Sequence, residues 1–264
     1  MLTKKELKLL PRSYQIVGKI LLIKLKPKLI KRKRLIGKEI LKLLPYVHSV
    51  ALQKEISGLK REPKIKIIAG CKRTQTLHKE YGYKFLLDVA KIMWSKGNKA
   101  ERARLVKLEK QGETIVDMFS GAGYWCIFLA KKARKIYAID INPTAIKYLE
   151  KNVWLNKCEN KIEILKGDCR SFATLLAGQA DRIIMGYIFE TEKFLPHALK
   201  MLKPKGIIHF HRTVAIDEIE KLKQKIAKIV QGGDFKIKFL LCKKVKSYAP
   251  NILHVVLDLE ITKS

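Results

Sequence analysis

A chain of 264 residues with 47% hydrophobic residues can bury a substantial core, and its length fits one sizeable domain plus a smaller one. It holds 56 Lys and Arg against 24 Asp and Glu, and the net charge of +32 exceeds what solubility requires and favours a polyanionic partner such as nucleic acid. The longest uncharged run, residues 118–130, is too short to cross a bilayer, so we expect no membrane segment. The five cysteines show no zinc spacing, so we expect no metal and a reducing, cytoplasmic compartment.

The basic charge is concentrated in the N-terminal quarter of the chain. Residues 1–66 carry a net +15, whereas the remaining 198 residues carry +17. SYQIVGKILLIKL (13–25) predicts a strand, and the apolar residues after Pro27 recur at helical spacing. Residues 1–68 are therefore predicted to form a small basic α+β domain that contacts RNA. Its cluster of Lys31, Arg32, Lys33 and Arg34 is predicted to bind phosphates, although a solvated charge run would give the same pattern.

Residues 69–264 are predicted to form a second, catalytic domain. Its entry, residues 69–112, contains TLHKEYGYKFLLD, which predicts a hairpin turning at Tyr81-Gly82, and then the helical pattern NKAERARLVKLE. From residue 113 to 264, five apolar runs alternate with helical stretches: TIVDMFS, KIYAIDI, KIEILKGD, DRIIMGY and GIIHFHRTV. Such runs are typical of buried parallel strands, and two further runs near the end are close enough to pair antiparallel. We predict an α/β, doubly wound Rossmann-like sheet with an antiparallel C-terminal hairpin.

The first βα turn, DMFSGAGYW (117–125), predicts a ligand site. Gly121 and Gly123 allow a sharp turn and a close approach to a ligand, but Cys126 replaces the third small residue of the dinucleotide fingerprint. Carboxylates end three successive strands, at Asp117, Asp140 and Asp168.

Those carboxylates indicate which ligand the turn accepts. Asp140 lies 19 residues after Gly121, the spacing at which a carboxylate accepts hydrogen bonds from ribose hydroxyls. Asp117 is a further carboxylate, which favours a cationic ligand. S-adenosylmethionine carries both an ammonium and a sulfonium, and we therefore predict a class I S-adenosylmethionine-dependent fold. The predicted cofactor site comprises Asp117, Phe119, Gly121, Gly123, Asp140, Ile141, Asp168, Cys169, Tyr187 and, from upstream, Ser95.

Several motifs resemble one known family. DMFSGAGYW, YAIDINPTAIKYLEKNVWLNK, TLHKEYGYKFLLDV and GNKAER are similar to the archaeal tRNA enzymes that modify the purine 3′ of the anticodon. That family has two branches, a guanine-N1-methyltransferase and a wybutosine-synthesizing aminocarboxypropyltransferase. The fourth strand of the methyltransferase branch ends in Asn-Leu-Pro or Asn-Pro-Pro, whereas this chain has Gly186-Tyr187-Ile188 at that place.

The strand-four segment resembles the aminocarboxypropyltransferase branch instead, as do FLPHALKMLKPKGIIHFHRTV and SYAPNILHVVLDL. The resemblance implies transfer of the 3-amino-3-carboxypropyl group of S-adenosylmethionine to 4-demethylwyosine in tRNA(Phe), with release of methylthioadenosine. It also implies Glu101 as a base and Arg61 as an oxygen-stabilising group. The alternative for Glu101 is an exposed Glu on a helix face, with Arg104 as a possible partner, and the alternative for Arg61 is an Arg that contacts phosphate.

Other roles stay open at this point. His78 is expected either to face the cofactor or to support the hairpin. His209 and His211 are expected on opposite faces of one strand, with at least one packed in the core. Guanine-N1 methylation and a non-catalytic RNA-binding module are the alternative functions, and a monomer is expected.

Overall fold

The computed structural model describes residues 2–57 and 62–264. The chain forms two compact units, residues 1–96 and 97–264, so that the predicted entry hairpin belongs with the N-terminal residues. The predicted division at residue 68 stays a prediction. Arg61, the expected oxygen-stabilising residue, lies outside the described residues.

The first unit contains a four-stranded sheet in the order β1-β2-β3-β4 and a separate two-stranded hairpin. Its strands are β1 (Gln15–Val17), β2 (Ile20–Ile23), β3 (Ser49–Ser57), β4 (Glu62–Gly70), β5 (Gln75–Glu80) and β6 (Tyr83–Asp88). Its helices are α1 (Lys4–Leu7) and α2 (Lys33–Leu43), and a 3-10 helix, Pro27–Arg32, leads into α2. Apolar residues of the sheet, among them Leu21 and Val50, form the core of this unit.

The prediction of a single strand over residues 13–25 was wrong. The segment is a hairpin, because the backbone turns at Gly18, which has a φ of +55°. A Cβ at Gly18 would lie 2.2 Å from the Thr76 hydroxyl, so the turn also requires glycine for space. The second hairpin was predicted correctly: β5 and β6 join at Tyr81 and Gly82, both with positive φ.

The second unit is built on a seven-stranded sheet in the order β12-β13-β11-β10-β7-β8-β9. Its strands are β7 (Thr114–Asp117), β8 (Lys135–Asp140), β9 (Ile162–Lys166), β10 (Ala180–Met185), β11 (Leu202–Ala215), β12 (Phe235–Ala249) and β13 (Ile252–Lys263). Its helices are α3 (Lys99–Leu108), α4 (Cys126–Leu129), α5 (Pro143–Leu155), α6 (Leu195–Met201) and α7 (Ile219–Gln231).

The strand pairing confirms the predicted fold. Strands β9, β8, β7, β10 and β11 are parallel, while β13 pairs antiparallel with both β11 and β12. The strand order reverses between β7 and β10, and the crevice at the carboxyl end of that switch point is where open α/β sheets bind ligands.

Two local expectations need correction. One of the helical stretches expected between the apolar runs, SFATLLA (171–177), is not an α-helix. Only a 3-10 helix, Cys169–Phe172, forms there, and the Asp168 side chain accepts from the Arg170 N–H at its start. His209 and His211 were expected on opposite faces, but residues two apart on a strand share a face, and both are fully buried. Across the described residues, no helix has the length and apolar character that a bilayer crossing needs.

Candidate functional site

The glycine turn at the carboxyl end of β7 is shaped by close packing. Gly121 and Gly123 have φ values of +56° and +97°, in the region that favours glycine. A Cβ at Gly121 would lie 2.1 Å from the Tyr124 ring, and one at Gly123 would lie 2.3 Å from Ile127. The turn is further fixed by Asn152 of α5, whose buried side-chain amide donates to the Ala122 carbonyl over 2.9 Å. Sequence analysis missed Asn152, although an amide within the apolar stripe of α5 is a usable signal.

Asp117, the last residue of β7, is fully buried and incompletely hydrogen-bonded. Its Oδ1 accepts from the Phe119 N–H over 3.3 Å, whereas Oδ2 has no partner among the described residues. Burial raises the pKa of Asp117 to about 7. A buried carboxylate with a free oxygen suits a cationic ligand, since such a partner offsets the desolvation of the anion.

Asp140, at the end of β8, accepts backbone hydrogen bonds at both oxygens. The Gly121 N–H donates to Oδ2 over 2.7 Å and the Asn142 N–H donates to Oδ1 over 2.8 Å. Burial is the main influence on Asp140 and raises its pKa. Because each carboxylate oxygen can accept more than one hydrogen bond, Asp140 can hold the glycine turn and still accept from ribose hydroxyls.

Asp168 lies beyond the end of β9 and pairs with Arg170, whose Nη2 is 2.6 Å from Oδ2. Hydrogen bonds from the Arg170 side chain lower the pKa of Asp168. Next to it, Cys169 is buried and burial raises its pKa to about 12, so it packs as a neutral thiol. Ile141, which follows β8, has 60% of its surface exposed.

Aromatic rings connect the tips of β7 and β10. The Phe119 ring stacks on Tyr187 at a centroid distance of 5.3 Å and meets Phe194 edge-on at 5.0 Å. Both predicted aromatic site residues therefore contact each other at the switch point of the sheet. Phe194 was not predicted, because nothing in the sequence spacing links it to either ring.

Ser95 and His78 belong to the first unit. Ser95 is partly buried there. His78 Nδ1 accepts from the Gly18 N–H over 3.2 Å and its ring lies 4.8 Å from that of Trp94. These contacts give His78 a supporting role in the packing of the second hairpin on the first.

Glu101, the expected base, is 2% exposed in the first turn of α3 and forms a two-point ion pair with Arg104. Arg104 donates from Nε to Oε2 over 2.8 Å and from Nη2 to Oε1 over 2.5 Å. The same guanidinium binds Asp258 of β13. The expected pair with Arg104 is present, but the expected exposure of Glu101 was wrong, because the side chain is buried. Its role as a base stays a prediction.

A buried polar chain continues from that ion pair across the sheet, and sequence analysis missed it. Asp258 accepts from His209 Nδ1 over 2.6 Å, and His209 Nε2 lies 2.6 Å from Arg182 Nη1. A guanidinium only donates, so His209 accepts at Nε2 and carries its proton at Nδ1. Burial alone would raise the pKa of Asp258, but hydrogen bonds from His209 and Arg104 hold it well below its ordinary range. Arg182 ends the chain in a two-point pair with Glu113.

The four residues of the predicted RNA cluster lie where the 3-10 helix Pro27–Arg32 joins α2. Lys31, Arg32 and Arg34 are exposed and Lys33 is partly buried. Arg32 pairs with Glu6 over 2.9 Å. The cluster therefore presents cationic side chains to solvent on the first unit. Within the described residues, no group of three or more His, Cys, Asp or Glu side chains is arranged to hold a metal ion.

The chain is similar to known proteins in both sequence and structure. Residues 76–238 match the family model "TRM5/TYW2 methyltransferase domain" and residues 1–74 match "TYW2 N-terminal domain". A tRNA(Phe) (4-demethylwyosine(37)-C(7)) aminocarboxypropyltransferase of Methanocaldococcus jannaschii is 41% identical over 93% of this chain and 96% of its own length.

Two solved structures extend the comparison to shape. Pyrococcus horikoshii TYW2 in complex with MeSAdo superposes with a TM-score of 0.88 and 36% identity over 100% of this chain and 96% of that one. Trm5b of Pyrococcus abyssi superposes with a TM-score of 0.91 and 33% identity over 99% of this chain and 79% of that one. On these sequence and structural matches, the chain belongs to the TRM5/TYW2 family.

Proposed function

We propose that the chain transfers the 3-amino-3-carboxypropyl group of S-adenosylmethionine to 4-demethylwyosine 3′ of the anticodon of tRNA(Phe). The tip of β10 carries this proposal. The methyltransferase branch is expected to place an asparagine amide there, but this chain has Gly186, and a Cβ on that glycine would lie 2.5 Å from the Trp125 indole. The tip thus has no room for an amide side chain. The 41% identical aminocarboxypropyltransferase supports the same conclusion.

The cofactor lies, in this proposal, at the carboxyl ends of β7, β8 and β9. Asp117 would face its cationic end, because the unpartnered Oδ2 and the pKa of about 7 mark a carboxylate that lacks a counter-charge. Asp140 would accept from the ribose hydroxyls while it holds the turn. The remaining contacts are proposed for Gly121, Gly123, Phe119, Ile141, Asp168, Cys169 and Tyr187. The role of Ser95 stays a prediction from the sequence.

The reaction places a carbon nucleophile in line with one carbon of a sulfonium. A ring carbon of the nucleobase uses an electron pair to form a bond to Cγ of the methionine arm. The Cγ–S bond breaks, and its electrons leave with sulfur as neutral methylthioadenosine. The ring carbon then loses its proton to a proton acceptor on the protein. Near-attack positioning at about 3 Å supplies most of the acceleration, so the protein chiefly has to hold both partners.

Glu101 is the proposed acceptor of that proton, and Arg61 is the proposed oxygen-stabilising group. Arg104 would orient the Glu101 carboxylate through its two hydrogen bonds. General-base assistance of this kind is worth roughly 10²- to 10⁴-fold in rate.

The tRNA would be held by positive charge, with Lys31, Arg32, Lys33 and Arg34 of the first unit as proposed phosphate contacts. A net charge of +32 favours binding to the phosphate backbone of a nucleic acid. A monomer in the cytoplasm completes the proposal, and the five free cysteines are consistent with a reducing compartment.

A double-label experiment tests the reaction. The protein is incubated with tRNA that carries the tricyclic precursor and with S-adenosylmethionine labelled either in the methyl or in the carboxyl group. We expect only carboxyl label in RNA, with an equal amount of methylthioadenosine. Guanine-N1 methylation is the second candidate, favoured by the TM-score of 0.91 with Trm5b. Methyl label in RNA with S-adenosylhomocysteine as by-product would establish that candidate instead.

A further inference from the structure

Gly186 is required for space and not for backbone conformation. It follows β10, and it is not among the glycines with positive φ, so its backbone would accept another residue. The obstacle is Trp125: a Cβ at Gly186 would lie 2.5 Å from Nε1 and 3.2 Å from Cδ1 of the indole. Real Cβ atoms essentially never approach other atoms within 3.0 Å. Any side chain at this position must therefore displace the tryptophan.

Trp125 has little freedom to move. Only 3% of its surface is exposed, and its ring lies 5.1 Å from that of His211 at an interplanar angle of 33°. His211 is fully buried, and its Nδ1 is 2.9 Å from Nε2 of His254 on β13. Interiors are packed as densely as organic crystals, so a ring held in this way is a rigid wall.

The indole of Trp125, called the wall below, lies at the carboxyl edge of the sheet. Trp125 closes the glycine turn that follows Asp117, and Gly186 directly precedes Tyr187, whose ring stacks on Phe119. The pairing of Met185 with Phe210 places Gly186 level with His211 on the neighbouring strand. The indole therefore occupies the gap between the proposed cofactor turn and the tip of β10.

We infer that Trp125 is a specificity-determining residue, which, together with Gly186, fixes the carbon of the sulfonium that faces the acceptor base. The inference rests on the proposed function. A sulfonium has three electrophilic carbons, and the walls of the pocket decide which one lies in line with the nucleophile. The indole fills the space that a side chain at residue 186 would take, and it limits how the methionine arm can be laid beside the strand tip.

The test uses the double-label assay on the full chain with four variants: Trp125→Ala, Trp125→Phe, Gly186→Ala and the double variant Trp125→Ala/Gly186→Ala. Removal of the wall in Trp125→Ala should lower carboxyl-label transfer by about 10²-fold, the cost of a misplacement near 1 Å. It should also raise methyl-label incorporation, or S-adenosylhomocysteine, to a level comparable with the remaining carboxyl transfer. Gly186→Ala should lose transfer similarly, because its Cβ displaces the same ring.

The double variant and the ring-preserving variant make the test specific. Because both single changes act on one wall, the double variant should lose little more than Trp125→Ala alone. Trp125→Phe keeps a ring against His211, so it should fold and retain most of the carboxyl selectivity. Trp154, with 69% of its surface exposed, supplies the matched control, and Trp154→Ala should leave rate and product ratio unchanged.

The possible results are clearly separated. A product ratio that stays wholly on the carboxyl side in every variant, with rate losses that follow the loss of Tm, would overturn the inference and reduce Trp125 to a packing residue. Failure of the proposed function would look different, since the unmodified protein itself would then put methyl label, or no label, into the precursor tRNA.

Discussion

The affinity for S-adenosylmethionine should rise with pH through the neutral range, and Asp117 should be the cause. The carboxyl is fully buried, its Oδ2 has no partner among the described residues, and burial raises its pKa to about 7. A cationic ligand binds the ionised form, so below pH 7 binding must first expel a proton. The ionised fraction grows between pH 6 and pH 7.5, and the association constant should therefore rise roughly eightfold, or ~1.2 kcal/mol. Higher pH is avoided because an α-amino group begins to lose its own charge near 8.

Calorimetry in buffers of different ionisation enthalpy would measure both the affinity and the proton released. Asp117→Asn should bind more weakly, by roughly 1.5 to 3 kcal/mol for a lost hydrogen bond to a charged group, and with a flat pH profile. Asp168→Asn is the matched control, because the pKa of Asp168 is lowered and the residue stays ionised over this range. An unchanged pH slope in Asp117→Asn would refute the assignment of the cationic end of the ligand to this carboxylate.

The sign of the same shift also predicts a stability change. The folded state binds the Asp117 proton more tightly than the unfolded state, whose pKa is near 3.8. The stabilising effect of that proton is complete below the unfolded pKa and is lost as pH rises toward 7. At pH 7.5 without ligand, Asp117→Asn should therefore raise Tm, while the unmodified protein gains more from added S-adenosylmethionine than the variant does.

Three further predictions concern the other proposed site residues. Asp140→Ala should weaken S-adenosylmethionine binding by about 1 to 3 kcal/mol for each ribose hydroxyl left unpaired, as measured by calorimetry, and unchanged affinity would remove the basis for the cofactor placement. Neutral replacement of the four cations from Lys31 to Arg34 should weaken tRNA binding and reduce its salt slope by up to about one per lost phosphate contact, with cofactor affinity spared. Glu101→Gln should lower single-turnover transfer by roughly 10²- to 10⁴-fold without changing cofactor affinity. A fall in Tm of Glu101→Gln with an unchanged rate would leave its pair with Arg104 as purely structural.

Sequence patterns predicted the sheet well, because buried parallel strands produce continuous apolar runs and their carboxyl ends fall on one edge. The same logic gathered Asp117 and Asp140 at the glycine turn, where the Gly121 N–H donates directly to Asp140. Local turn chemistry was harder to predict. Thr76, far along the chain, leaves no space for a side chain at the Gly18 turn, and no local pattern in residues 13–25 contains that restriction.

The polar interior could not be predicted for a related reason. His209, Asp258 and Arg104 come from three elements, and each alone appears as an ordinary charge in an apolar run or on a helix face. Only the antiparallel pairing of β11 with β13 places His209 opposite Asp258. A buried charge must be paired, so the sequence could indicate that partners exist but not which residues they are.

The fold of this family does not determine the product, because the product depends on differences of about 1 Å in the pocket. This chain superposes on a guanine-N1-methyltransferase as well as on an aminocarboxypropyltransferase, so the arrangement of strands does not select the reaction. The three carbons around a sulfonium require different directions of in-line attack, so the orientation of the sulfonium decides which of them meets the nucleophile, and a misplacement of about 1 Å can cost about 10²-fold in rate. A side chain at residue 186 would cause a displacement of this order, because a Cβ on Gly186 would lie 2.5 Å from the indole of Trp125. Product choice is therefore expected to depend on this single contact at the tip of β10, and a sheet that is otherwise unchanged can support either chemistry.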